Sequence, residues 1–106
     1  MNLKIEAIGS TLVVKPHGEL DQSCAEKLRN DIDNAFFQNC SKNLVLDFAD
    51  VSFMDSSGIG VIIGRYKRVK ALGGKTMLIR PQPQVDKLLE LSGIKKMIAC
   101  SQEVNQ

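Results

Sequence analysis

The residues with the most chemistry in this chain stand together at Asp55-Ser56-Ser57-Gly58-Ile59-Gly60. A carboxylate is followed by two hydroxyls, and Ile59, Ile62, Ile63, Tyr66 and Val69 then recur at helical spacing. Ser56 thus falls at a helix start, where a serine oxygen commonly accepts a backbone N–H bond as an N-cap. The same free N–H groups and the positive end of the helix dipole also favour a phosphate. A phosphoserine brings about −1.5 to −2 charges near neutral pH. Asp55 opposes that charge, and so does Asp21 if the first helix starts alongside. A position that tolerates both states, yet looks different to a partner in each, meets the electrostatic requirement of a switch. Ser56, Gly60, Gly64, Lys67 and Arg68 share the face opposite the apolar one. Each helical glycine costs about 1 kcal/mol relative to alanine, so the pair needs a reason. Either Gly60 and Gly64 let another part of the chain pack closely, or they leave a bare stripe along which a partner reaches Ser56. The spacing alone leaves both open.

Other chemistries are less well served. A nucleophile at Ser56 or Ser57 needs a base, and the one histidine is His17, with Asp21 to orient it. There is no G-x-S-x-G elbow, so His17 reads as a residue near the surface at a strand end. Neither G-x-x-x-x-G-K-S/T nor G-x-G-x-x-G is present. Cys24, Cys40 and Cys100 are widely spaced, and His17 cannot complete a zinc set with them, so no metal or cofactor is expected. Reduced thiols of this kind fit the cytoplasm. Arg65, Lys67, Arg68 and Lys70 form a basic stripe. With one Tyr and no Trp to stack on bases, it reads as a solvated helix face and not as a nucleic-acid surface. No uncharged apolar run approaches membrane-spanning length, and no apolar signal segment follows the N-terminus.

These residues need a scaffold to position them. A chain of 106 residues, 43% hydrophobic and 25% charged, reads as one soluble α/β domain over 1–106. Residues 1–54 carry a net −3 and residues 55–106 a net +5, a complementarity that helps a domain pack on itself. Leu3–Ile8 and Thr11–Lys15 read as strands joined by a Gly9-Ser10 turn. Pro16 is expected to end the second strand or to lie beside an edge. Ala25, Leu28, Ile32, Ala35 and Phe36 mark a first helix, with Ser23-Cys24-Ala25-Glu26 as a capping box, or Asp21 or Gln22 as the cap. Leu44–Phe48 is a central strand. The helix from Ser56 runs to about Leu72 and stops at Gly73-Gly74. Thr76–Ile79 is another strand, and Pro81-Gln82-Pro83 opens a helix carrying Val85, Leu88, Leu89 and Leu91. Met97–Cys100 forms the last strand, after which Ser101 can cap a final helix. The order β-β-α-β-α-β-α-β implies a mixed sheet of about five strands with three to four helices and right-handed crossovers.

Asp55-Ser56-Ser57-Gly58-Ile59-Gly60-Val61-Ile62-Ile63-Gly64-Arg65-Tyr66-Lys67 closely resembles the phosphorylation segment of the STAS-domain anti-sigma factor antagonists. Gly18-Glu19-Leu20-Asp21 resembles the family's other signature, and the likeness extends from about Leu3 to Cys100. It is strongest to the sporulation members and next to the general-stress members. The resemblance implies a STAS fold and a protein that acts by binding, without catalysis of its own. Unphosphorylated, such a protein binds an anti-sigma factor that is also a serine kinase, and so releases the sigma factor. Phosphorylation, carried over to Ser56, breaks the complex, and a serine phosphatase resets it. Asp21 maps to the acidic residue that engages the kinase, and Asp55, Ser57, Gly58, Gly60 and Gly64 are expected to line the same partner surface. Two features depart from the family: the C-terminal helix is short or missing, and Gln22-Ser23-Cys24 stands where relatives show more histidine. A STAS module of another signalling assembly is the alternative, though such modules vary the Asp-Ser-Ser-Gly core that is intact here.

Overall fold

The structure, a computed structural model, describes residues 2–102. Strands β1 (Asn2–Ile8) and β2 (Thr11–Leu20) form an antiparallel hairpin, from Ile8 opposite Thr11 to Asn2 opposite His17. Then follow α1 (Gln22–Gln38), β3 (Asn43–Asp47), β4 (Val51–Met54), α2 (Ser56–Ala71), β5 (Thr76–Ile79), α3 (Pro83–Leu91), a short 3₁₀ turn (Ile94–Lys96) and β6 (Ala99–Ser101). The sheet has six strands in the order β1-β2-β3-β5-β6, with β4 attached to β2 off that path. All pairs except the hairpin are parallel.

The single α/β domain and its mixed sheet match the expectation from sequence, with three local corrections. The second strand does not end at Pro16 but runs to Leu20. On one edge β2 pairs with β3 through Thr11–Val14 and with β4 through Gly18–Leu20. Pro16, which lacks an N–H, falls in the gap where the strand changes partner. The four-residue β4 was not expected. The last strand begins at Ala99 instead of Met97. Met97 closes the 3₁₀ turn, and the Ile98 N–H is bonded to the Ile94 carbonyl at 2.9 Å. Ser101 itself is the last residue of β6, and any helix after it lies outside the described residues.

The core is one apolar cluster built from the inward residues of every layer, among them Leu12 and Val14 of β2, Ile32 of α1, Leu46 of β3, Ile62 of α2 and Leu89 of α3. Helices α1 and α2 pack side by side, α1 on β2 and α2 on β4 and β5. The acidic and basic halves meet in ion pairs: Asp33 with Arg65 and Arg68, and the buried Asp47 with both donating ends of the Arg80 guanidinium.

Helix α2 ends where the sequence indicates. The Gly73 N–H donates to the Lys70 carbonyl and the Gly74 N–H to the Val69 carbonyl, each at 2.9 Å, with Gly73 at φ +83°. This is the Schellman arrangement that a left-handed glycine permits. A Cβ on Gly74 would stand 1.6 Å from the Lys42 carbonyl oxygen, so the chain returning from α2 crosses the α1–β3 loop at a distance only glycine allows.

Candidate functional site

The site begins with strand register. Leu20 of β2 lies opposite Met54 of β4, and the Asp55 N–H reaches the Leu20 carbonyl at 3.3 Å. Parallel strands run about 4.8 Å apart, so the next residues on each, Asp21 and Asp55, leave the sheet side by side. Each caps the helix that follows. Asp21 accepts from the Ser23 N–H at 3.0 Å and from the Ser23 hydroxyl at 2.6 Å. Asp55 accepts from the Ser57 N–H at 2.8 Å and the Gly58 N–H at 3.4 Å. The Ser23 hydroxyl bond holds the Asp21 carboxyl below the usual carboxylate range, with burial opposing it and the backbone N–H groups of Ser23 and Cys24 adding to it.

Of the possible caps for α1, Asp21 is the one used, and the Ser23–Glu26 capping box is not. In α2 the cap is Asp55 and not Ser56. Ser56 therefore becomes the first residue of the helix proper, exposed, with its hydroxyl outside the capping bonds. The helix start still offers its positive end to that oxygen.

The three glycines of α2 separate into two kinds. A Cβ on Gly60 or on Gly64 would meet nothing within 4 Å. Among the described residues neither glycine admits another part of the chain, so close packing within these residues is not their reason. Gly60 instead lines an open groove between the helices with Ser57 and Val61, facing Gln22, Glu26 and Arg29 of α1. Gly58 is different. It is buried, and a Cβ there would lie 2.5 Å from Met54 Cγ and 2.8 Å from Leu20 Cδ2. Gly58 thus lets the first turn of α2 settle onto the ends of β2 and β4.

Arg65 stands differently from expectation, and His17 is near the surface as expected. Arg65 does not belong to the solvated basic stripe. Only 6% exposed, it faces α1, with Nε 2.8 Å from Asp33 Oδ1, while Lys67, Arg68 and Lys70 are exposed. His17 is exposed and lies four residues before Asp21, about 13 Å back along β2 from the paired aspartates. That is too far for a base acting on Ser56. Phe53, overlooked because β4 was overlooked, is 47% exposed beside Met54 and the α2 start. The apolar residues Val51, Phe53 and Met54, set between Asp50 and Asp55, are the available signal. Among the described residues no cluster of His, Cys, Asp and Glu has metal-holding geometry, and no helix is long and apolar enough to cross a membrane.

Comparison with known proteins gives a consistent picture. Residues 2–106 match the STAS domain family. The chain is 38% identical over 100 residues to the anti-sigma F factor antagonist of Paenibacillus polymyxa, covering 92% of this chain and 86% of the relative. It is 31% identical over 101 residues to the anti-sigma-B factor antagonist of Bacillus subtilis strain 168, covering 95% and 91%. The fold is similar to that of the anti-sigma factor antagonist SpoIIAA in its unphosphorylated form, with a TM-score of 0.82, 34% identity and 96% and 90% of the two chains covered. For the phosphorylated form of the Bacillus SpoIIAA the TM-score is 0.74 at 33% identity, with 96% and 93% covered.

Proposed function

The chain belongs to the STAS domain family, and we propose that within it this protein is an anti-sigma factor antagonist switched by phosphorylation of Ser56. The observation that carries this reading is the Asp55 cap. It occupies the backbone N–H groups of Ser57 and Gly58 and leaves the Ser56 hydroxyl exposed at the helix start. Asp55 and Ser57 flank Ser56 along the chain, Asp21 leaves the sheet beside Asp55, and the bare stripe of Gly60 and Gly64 gives a partner surface room to approach the hydroxyl. Gly58 supports this surface from beneath, and Phe53 adds an exposed apolar contact at its border.

In the unphosphorylated state the surface binds an anti-sigma factor, which then lets go of its sigma factor. That anti-sigma factor is also a serine kinase and supplies the ATP. The Ser56 oxygen forms a bond to the γ-phosphorus as the bond to ADP breaks, and the hydroxyl proton passes to a base of the kinase. The new charge sits at a helix N-terminus, where the positive end of the dipole favours it, so the fold is retained. The interface carries the cost. A unit charge about 4 Å from a like charge is disfavoured by about 4 kcal/mol at an effective dielectric near 20. Half of that is already more than a tenfold loss of affinity. A serine phosphatase restores the binding form.

The higher identity to an anti-sigma F antagonist (38%) than to an anti-sigma-B antagonist (31%) supports control of sporulation transcription over a general-stress role. The protein acts in the cytoplasm by binding, with no catalysis of its own and no direct contact with nucleic acid or membrane. The test is a binding titration of both forms against the kinase-type anti-sigma factors of the same genome. Unmodified protein should bind one of them, and phosphorylated protein should bind it at least about tenfold more weakly. Equal affinity of the two forms contradicts the switch. Tight binding only to the general-stress partner moves the protein to that pathway.

A further inference from the structure

At the other end of the helix pair, between the C-terminal halves of α1 and α2, lies an apolar cleft of about 210 Å³. Its depth is formed by Ile32, Leu44 and Val69, all nearly fully buried, with Phe36 beside them. At its rim Phe37 is 83% and Leu72 68% exposed. Phe37 and Leu72 border the same opening, so their exposed side chains form one apolar rim continuous with the buried floor.

The wall of this cleft carries two polar groups that no described residue satisfies. Arg65 is 6% exposed, and its Nη1 has no hydrogen-bond partner among the described residues. Its Nε stands 2.8 Å from Asp33 Oδ1, but the N–H is not directed at the oxygen, so the contact is ionic without being a hydrogen bond. Ser41 Oγ, also buried, lacks a partner as well. Charge is unbalanced in the same place. Asp33 is shared between Arg65 and Arg68, the latter at 3.5 Å, so one carboxylate answers two guanidiniums. Burial pulls the Arg65 guanidinium below its ordinary range. Asp33 opposes this, and Arg68 and Arg29 add to it. Buried donors of a charged group are costly to leave unpaired, and what is missing is one negative, hydrogen-bond-accepting group with an apolar body attached.

We propose that the cleft between Phe37, Leu72 and the buried Arg65 is a binding site for a small apolar monocarboxylate. The carboxylate accepts from Arg65 Nη1 and the Ser41 hydroxyl and supplies the second negative charge beside Asp33. The hydrocarbon lies along Ile32, Phe36, Leu44 and Val69 and is covered by Phe37 and Leu72. A cavity of roughly 150 Å³ admits benzene, so this one takes a ligand of roughly ten non-hydrogen atoms. Arg65 is nine residues after Ser56, about 14 Å along α2, so the site is separate from the switch surface and does not depend on it.

The test uses the full chain, with sodium octanoate as the charged probe and octan-1-ol as the uncharged one, followed by backbone amide shifts. Octanoate should give saturable shifts concentrated in residues 36–44 and 65–72 and should bind at least about tenfold more tightly than octan-1-ol. Arg65→Met, which keeps the volume and loses the charge, should erase that preference. Phe37→Ala alters only an exposed rim residue and should weaken both probes several-fold. If Arg65→Met does not fold, the two-probe comparison and Phe37→Ala decide. The proposal is overturned if octanoate causes no saturable shifts in that region or octan-1-ol binds equally well. It is also overturned if a folded Arg65→Met keeps the preference or Phe37→Ala binds both probes unchanged.

Discussion

Helices α1 and α2 start side by side on the same plan, and the difference between the two starts is the ground on which Ser56 is proposed as the phosphorylated serine. Each follows a parallel strand, each is capped by an aspartate, and each has a serine two positions after the cap. In α1 the hydroxyl of that serine, Ser23, is itself bound to the Asp21 carboxylate at 2.6 Å. In α2 the Asp55 carboxylate takes two backbone N–H groups, from Ser57 and Gly58, and leaves the hydroxyls alone. The first helical residue is Gln22 in one case and Ser56 in the other. The third is Cys24, which has room for a side chain, against Gly58, which has none. One start is closed by its own side chains. The other is set deep on the sheet, with an exposed hydroxyl at the tip and bare backbone at Gly60 and Gly64 beyond it.

Charge at the tip of α2 should have the largest effect. Ser56→Asp is expected to lower affinity for the anti-sigma partner at least about tenfold, measured by titration, with circular dichroism unchanged. An unchanged affinity would break the contrast between the two starts. Next comes Gly58→Val, which forces a side chain onto Met54 and Leu20 and should destabilise the domain by about 1–3 kcal/mol in thermal or denaturant unfolding. Gly60→Ala, only two residues on, meets open space and should leave stability unchanged or raise it by up to about 1 kcal/mol. If both glycines respond alike, the division into a packing glycine and a surface glycine is wrong. Removing the cap by Asp55→Ala should cost about 1 kcal/mol, read from the same unfolding curves.

The smallest effect is in the acid range and belongs to α1. Asp21 has its carboxyl lowered in the folded state, chiefly by the Ser23 hydroxyl. Its contribution to stability is therefore fully present above its unfolded value, near 3.9, and fades as pH falls through the lower folded value. Stability curves of the wild type and Asp21→Asn should differ at neutral pH and converge in strong acid. A difference that grows on acidification contradicts the assignment.

Much of this was legible in sequence because the signals are local. The period of α2, its glycine stop and the Ser56–Gly60–Gly64 stripe follow from residues within a few turns of one another. The pairing of Gly18-Glu19-Leu20-Asp21 with the Asp55 segment came through family resemblance; its physical basis is the Leu20–Met54 register. What sequence did not resolve depended on distant partners. Arg65 looked like part of a basic surface because its counterion, Asp33, sits on another helix. Pro16 looked like a strand end because the exchange of β3 for β4 along β2 is set by residues far along the chain. Gly58 and Gly60 looked alike because the sheet beneath one of them was the unexpected β4. The cap was misplaced by a single residue, from Asp55 to Ser56, and that one step decides whether the Ser56 hydroxyl is engaged or available.

The central claim is that the Asp55 cap makes Ser56 the acceptor, and phosphosite mapping tests it most directly. The protein is incubated with its cognate anti-sigma kinase and ATP, and fragment mass spectra locate the added group. The account predicts one phosphoryl group per chain, on Ser56, with Ser56→Ala unmodified. Modification of Ser57 or Ser23, or continued single phosphorylation of Ser56→Ala, would contradict it.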